Sequence, residues 1–304
     1  MMIGLWSDSH NFPSLPVMKL AAWHKLRGDR VELWQPLMRY DKVYCSKVFD
    51  FTRDAEDIGL IRADAIERGG TGYGDFTSQL PAEIEHIYPD YSLYPKYREA
   101  YGFLTRGCPR GCGFCIVSGK EGRESRRVAE LSEFWRGQQV IKLLDPNLLA
   151  CREHEQLLKE LANSGAWVDF TQGLDIRLVT RDNVALLNRL KVKALHFAWD
   201  DPRMDLTRYF EEFSRLSVVS DYRKRKVYVL TNYSSTHEQD LYRVYTLRQL
   251  GFDPYIMIYD KNKAPHITRR LQRWCNNKWI FRAEPDFTKY TPNCGAKMDG
   301  EAET

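Results

Sequence analysis

Three cysteines, Cys108, Cys112 and Cys115, lie within eight residues, in the stretch Gly102-Phe-Leu-Thr-Arg-Gly-Cys-Pro-Arg-Gly-Cys-Gly-Phe-Cys-Ile-Val. Their spacing is C-x3-C-x2-C. Three thiolates from one short loop can bind three irons of a 4Fe–4S cluster and leave the fourth iron open to a small chelating molecule. Two plainer explanations compete. Positions i, i+4 and i+7 share one helical face, which would suit buried core cysteines. However, Gly107, Pro109, Gly111 and Gly113 interleave with them, and such a run does not make a helix interior. Zinc also takes thiolates, but a structural zinc site wants four ligands, usually paired. Cys45, Cys151, Cys275 and Cys294 are scattered singly.

With that loop, the chain resembles the radical SAM superfamily, whose signature is C-x3-C-x2-C, commonly with an aromatic residue before the third cysteine, here Phe114. The phrases Phe103-Leu-Thr-Arg-Gly-Cys, Leu143-Leu-Asp-Pro-Asn-Leu-Leu-Ala and Phe170-Thr-Gln-Gly-Leu-Asp-Ile-Arg-Leu resemble a group of small bacterial and phage members. That likeness extends from Met1 to about Phe281. The resemblance implies an enzyme that uses a 4Fe–4S cluster and S-adenosylmethionine. An external one-electron reductant of flavodoxin or ferredoxin type would drive reductive cleavage to a 5′-deoxyadenosyl radical, which takes hydrogen from a substrate of unknown identity. It also implies a partial (β/α)6 barrel.

Composition sets the outer bounds. At 304 residues, 43% hydrophobic and 28% charged, the chain can bury a core, and a scale of about 150 residues per domain suggests two domains or one larger barrel. A net charge of +4 is too mild to name a partner. Seven cysteines, an odd number, argue against a disulfide framework. The start Met1-Met-Ile-Gly-Leu-Trp-Ser-Asp has no apolar run long enough for a signal peptide or membrane span. A reducing cytoplasm is the expected location.

The elements that would position the cysteines are α/β. Residues 1–75 read as a small Rossmann-like α/β domain: strand Ile3–Trp6, helix Leu15–Arg27, strand Val31–Trp34 and strand Lys42–Cys45. Residues 76–100 close a connector beginning near Ile66, rich in Gly, Pro and Tyr. Its Gly69-Gly-Thr-Gly-Tyr-Gly lacks the strand-then-helix bracket of a phosphate cradle and reads as turns. From 101 to 284, strands at Gly102–Thr105, Val140–Leu144, Val168–Thr171, Ala194–Trp199, Lys226–Leu230 and Tyr255–Tyr259 alternate with helices at Val128–Trp135, His154–Ala162, Val184–Leu190, Glu238–Leu250 and Ile267–Asn276. Six repeats of about 30 residues each suit βα units closing toward a barrel. Thr236-His-Glu-Gln239 has the form of a capping box. Residues 285–304, with Cys294 and an acidic end, read as a disordered tail.

In such barrels chemistry gathers at the strands' C-terminal ends. Those ends carry the cysteine loop, then Asp145 and Asn147, then Gln172, Asp175 and Arg177, then Asp200, and then Asn232. The resemblance places Phe114 against adenine. Where the superfamily usually has a glycine-rich segment, this chain has Asp145-Pro-Asn147, so one of these two would accept from the methionine ammonium. Arg177 is a candidate for the methionine carboxylate, with a surface pair to Asp175 as the alternative. Asp200 and Asn232 are candidates for the ribose hydroxyls, or simply helix caps.

Two other constellations carry weaker expectations. Asp8-Ser-His10 resembles the cobalamin motif D-x-H-x-x-G, but Pro13 replaces the glycine. The small domain therefore resembles a degenerate cobalamin-binding domain, and cobalamin stands as an alternative rather than an expected cofactor. The histidines His24, His154, His196 and His237 stand alone and read as structural. Between Lys261 and Arg282 lie Lys261, Lys263, Arg269, Arg270, Arg273, Lys278 and Arg282 without an acidic residue, interleaved with Trp274, Trp279 and Phe281. A solvated helix face is the simpler explanation, and a nucleic-acid surface is the alternative. A non-enzymatic zinc or iron–sulfur protein is the contrasting class.

Overall fold

The computed structural model describes residues 1–9, 12–54 and 60–292. The expectations for His10, Cys294 and the tail from 293 lie outside the described residues. The chain divides into two compact units, Met1–Leu174 with Ala185–Lys193, and Asp175–Val184 with Ala194–Thr304.

In the first unit, β1 (Met2–Ser7) is apolar and almost wholly buried. It is followed by α1 (Leu15–Leu26), β2 (Arg30–Leu33), β3 (Arg39–Ser46) and β4 (Arg62–Gly69). These strands form one parallel sheet in the order β2-β1-β3-β4. Pro16 opens α1, where a missing N–H costs nothing. The helix packs Val17, Leu20 and Ala21 against Ile3, Leu5 and Tyr44. The sequence pattern does not suggest β4, because this edge strand keeps only Ala63 and Ile66 packed on the Trp6–Tyr40–Val43 cluster while its other positions face water. The glycine run after it forms a 3-10 turn, Thr71–Tyr73. Gly70 there has φ +107, and a Cβ would meet the Lys47 carbonyl oxygen, so the turn needs glycine for close backbone approach.

After α2 (Ala82–Glu85) the unit continues with β5 (Ala100–Gly102), β6 (Thr105–Arg106), α3 (Val117–Lys120), β7 (Arg126–Arg127), β8 (Val140–Leu143), α4 (His154–Ser164) and β9 (Trp167–Phe170). β5, β8 and β9 are parallel neighbours, and β6 and β7 pair antiparallel. The helix expected at Val128–Trp135 is only a 3-10 turn, Leu131–Glu133. Val128 N–H instead donates to Leu104 O, drawing that segment alongside the strand end.

α5 (Arg181–Leu187) and β10 (Lys191–Ala198) follow. The second unit then holds α6 (Thr207–Leu216), β11 (Arg225–Thr231), α7 (His237–Gln249), β12 (Asp253–Ile258), α8 (His266–Asn276) and α9 (Lys278–Ala283). β10, β11 and β12 pair in parallel. Val227 and Val229 point to one face of β11 and are fully buried, alternating with partly exposed Tyr228 and Leu230. α7 begins at the capping box, with Thr236 and Gln239 bonding each other's backbone reciprocally. The sequence pattern does not suggest α6, where Phe210 and Phe213 are buried three residues apart. The α/β class with parallel strands is thus present in both units. Among the described residues, no helix is long and apolar enough to cross a membrane.

Candidate metal centre

The cysteine loop leaves the sheet at the end of β6 and returns on β7, with Thr105 opposite Arg127 and Arg106 opposite Arg126. Just inside this neck, the Glu121 carboxylate accepts from Arg106 Nη1 at 3.3 Å and from Gly107 N–H at 3.1 Å. Cys108 N–H donates to Gly122 O, and Cys115 N–H to Cys112 O. Gly107 has φ +87, and a Cβ on it would sit 2.1 Å from Glu124 O, so only glycine fits this close crossing. The loop is anchored at its base by backbone bonds and one carboxylate.

None of the three loop cysteines is in a disulfide; Cys108 and Cys112 are half-buried and Cys115 is exposed. The free cysteines elsewhere among the described residues are buried. Burial pushes the Cys45 thiol up to about 11 and that of Cys275 up to about 12, and raises that of Cys151. Burial thus disfavours the thiolate, the form that binds metal, at all three. Among the described residues no three or more His, Cys, Asp or Glu side chains converge on a single metal ion. A cubane differs in kind, because each thiolate takes its own iron. The donor set on this loop, three accessible thiols from one tight turn, fits that group.

The segment after β8 bears directly on the loop. Asp145 is buried, and its carboxylate accepts from Leu104 N–H at 3.1 Å, Thr105 N–H at 2.5 Å and Thr105 Oγ1 at 2.7 Å. Burial nevertheless dominates and raises its pKa to about 6. With these contacts Asp145 fixes the strand end from which the cysteine loop departs. Asn147, also buried, donates from Nδ2 to Cys108 Sγ at 3.6 Å, while its Oδ1 accepts no hydrogen bond from the described residues. Its carbonyl accepts from Ser125 Oγ at 3.0 Å. Of the two residues expected to receive an ammonium, Asn147 therefore holds the uncommitted oxygen. Phe114 is half-buried on the loop, and Gln172, beyond β9, is exposed.

The remaining candidates belong to the second unit. Arg177 grips Asp175 with two parallel bonds, Nε to Oδ1 at 2.7 Å and Nη2 to Oδ2 at 3.0 Å. That is the geometry with which a guanidinium holds a carboxylate, used here on a neighbour in the chain. Asp200, at the end of β10, has its pKa raised to about 6 by burial, opposed by the positive charges of Arg243 and Arg177. Asn232 sits at φ +62 and donates to Tyr259 O at 2.7 Å, tying the end of β11 to the end of β12. Arg243, which no motif marks, is buried and donates to Trp199 O, Asp200 O and Leu230 O while pairing with Asp240 at 2.5 Å. The signal for it was an Asp–Arg pair at i, i+3 on the apolar face of α7. Glu121 gave no such signal; it lies beyond the cysteine motif at no distinctive spacing.

Asp8 holds the segment that follows β3: its Oδ2 accepts from Val48 N–H, Phe49 N–H and Thr52 Oγ1. His24 bonds Asp29 at 2.6 Å and Tyr44 at 3.0 Å. In the basic stretch, Lys263 pairs with Asp260, Lys278 with Asp253, and Arg270 with Tyr290 O. Trp274 and Phe281 are buried against each other, whereas Trp279 is 82% exposed.

Among solved structures, the radical S-adenosylmethionine methyltransferase TsrM from Kitasatospora setae is similar. Its form with tryptophan substrate and a SAM analog bound gives a TM-score of 0.44 at 13% identity, covering 84% of this chain and 67% of that one. Its form with cobalamin and a [4Fe-4S] cluster bound gives 0.42 at 14%, covering 84% and 66%. The chain thus spans about two thirds of that protein's length. No protein-family model matches the chain, and no curated protein matches it.

Proposed function

We propose that this chain is a radical SAM enzyme whose 4Fe–4S cluster is held by Cys108, Cys112 and Cys115. The observation that carries the proposal is the anchored loop itself: three thiols outside any disulfide in C-x3-C-x2-C spacing, with a buried amide donating to one of them. When bound, the cluster would supply one electron to the sulfonium of S-adenosylmethionine. The chain's own residues orient the partners. Asp145 and Glu121 hold the loop's shape, Asn147 Oδ1 is the acceptor for the methionine ammonium, and Phe114 offers an aromatic face to adenine. Gln172, Asp175, Arg177, Asp200 and Asn232 remain candidates for the rest of the cosubstrate. Arg177 would have to leave Asp175 to take a carboxylate.

The finer architecture goes with this proposal: a partial (β/α)6 barrel over 101–284, a connector over 76–100, and a small Rossmann-like domain over 1–75 that resembles a degenerate cobalamin-binding domain. A flavodoxin- or ferredoxin-type reductant and a cytoplasmic setting follow from the chemistry. Cobalamin keeps the standing of an alternative. The test is anaerobic reconstitution followed by assay for 5′-deoxyadenosine from S-adenosylmethionine with dithionite. Formation that disappears in Cys112→Ala supports an enzyme, and iron binding without the product supports a non-enzymatic iron–sulfur protein.

One observation favours a second reading, a nucleic-acid substrate: Trp279 projects into solvent beside exposed Arg282, with Arg269 and Arg273 exposed on α8. Retention on single-stranded nucleic acid that weakens steeply with salt, and is lost in Trp279→Ala with Arg273→Ala, would support it.

A further inference from the structure

We propose that Asn147 is a positioning residue that sets the reduction potential of the cluster through an N–H···S hydrogen bond to Cys108. The inference rests on the function proposed above and goes beyond ligation. Asn147 stands at the N-cap of the 3-10 turn Leu148–Ala150, where an asparagine oxygen would ordinarily accept from the turn's N–H groups. Its side chain makes no such bond. The amide is turned instead toward Cys108, 3.6 Å from Nδ2 to Sγ, and Oδ1 is buried without a partner among the described residues. A buried side chain that forgoes both capping and an acceptor's partner is held there by something else. The backbone supplies the constraint, since Ser125 Oγ and Ala150 N–H both donate to the Asn147 carbonyl, and Asp145 two residues earlier is fixed to Leu104 and Thr105.

A donor on a ligating sulfur withdraws electron density from it and favours the more negative, reduced form of the cluster. Without that donor, reduction becomes harder. Loosening of the loop acts in the opposite sense, because water reaching the cluster also stabilises the reduced form. The direction of the shift therefore separates a tuning role from a merely structural one.

The experiment is an anaerobic potentiometric titration of the full reconstituted chain, followed by electron paramagnetic resonance, with iron quantified in the same samples. The event read is uptake of one electron from dithionite, with no bond broken. Asn147→Leu, similar in size but without an N–H, is expected to keep its iron and to shift the midpoint to more negative potential. An unchanged midpoint or a positive shift at full iron content overturns the inference. If Asn147→Leu takes up no iron, Asn147→Met is read by the same criteria and decides. An unmutated chain that takes up no iron overturns the proposed function, and this inference with it.

Discussion

At the end of β8 the polar side chains reach out and hold a loop; at the ends of β10 and β11 the backbone is itself held. Asp145 and Asn147 contact Leu104, Thr105 and Cys108. By contrast, the carbonyls of Trp199, Asp200 and Leu230 converge on the buried guanidinium of Arg243, and Asn232 bonds the backbone of the next strand. Polar strand ends look alike in sequence and do different work. One set shapes the cysteine loop, and the other keeps the strand ends of its own unit closed.

The comparison can be broken most forcefully at Arg243. Arg243→Met leaves Asp240 buried without its ion-pair partner and removes the donor that three carbonyls share, and should destabilise the chain by about 3–5 kcal/mol. Urea unfolding measures that loss, and iron uptake per folded chain should stay unchanged. Asp145→Ala removes the acceptor for two N–H groups and one hydroxyl, and an orphaned buried donor costs about 1–3 kcal/mol. A loss of about 3 kcal/mol is expected, this time together with loss of iron uptake. If iron binding survives it, the loop does not depend on the end of β8.

A pH series sharpens the contrast at smaller scale. Both Asp145 and Asp200 have folded pKa values raised to about 6. Their contribution is present in full below the ordinary carboxylate range and is lost as pH rises through about 6. Asp145 alone should make the folded state about 1 kcal/mol less stable at pH 7.5 than at pH 5, relative to a variant without it. Urea midpoints of the unmutated chain and Asp200→Asn at the two pH values test the same sign for Asp200, where a flat difference would contradict it. The smallest effect belongs to Arg177→Lys, which breaks a partly exposed pair with Asp175 and should change stability by less than about 1 kcal/mol. A large drop in the affinity for S-adenosylmethionine in that variant, measured by calorimetry, would show that Arg177 exchanges partners on binding.

Much of this was legible before the structure. Hydrophobic periodicity located β1, α1, α4, α7 and α8, and Thr236 with Gln239 marked the start of α7. The elements that escaped did so for physical reasons. β4 is an edge strand whose residues mostly face water, so it lacks an apolar signature. The helix expected at 128–135 was drawn out of helical form by the bond from Val128 to Leu104 O. At the site, the cysteine spacing is local and was legible, whereas Glu121 acts through tertiary contacts that leave no trace in spacing, and Arg243 leaves only its i, i+3 pairing with Asp240. In the basic stretch, Trp274 and Phe281, which the nucleic-acid alternative counts as interleaved aromatics, are core residues packed 4.7 Å apart between ring centroids.

The most direct test of the central claim is the iron and acid-labile sulfide content of the anaerobically reconstituted chain, beside that of a variant with Cys108, Cys112 and Cys115 all changed to Ala. The account predicts about four irons and four sulfides per chain in the first and none in the second. Equal iron in both, or a single tightly bound ion without sulfide in the first, would contradict it.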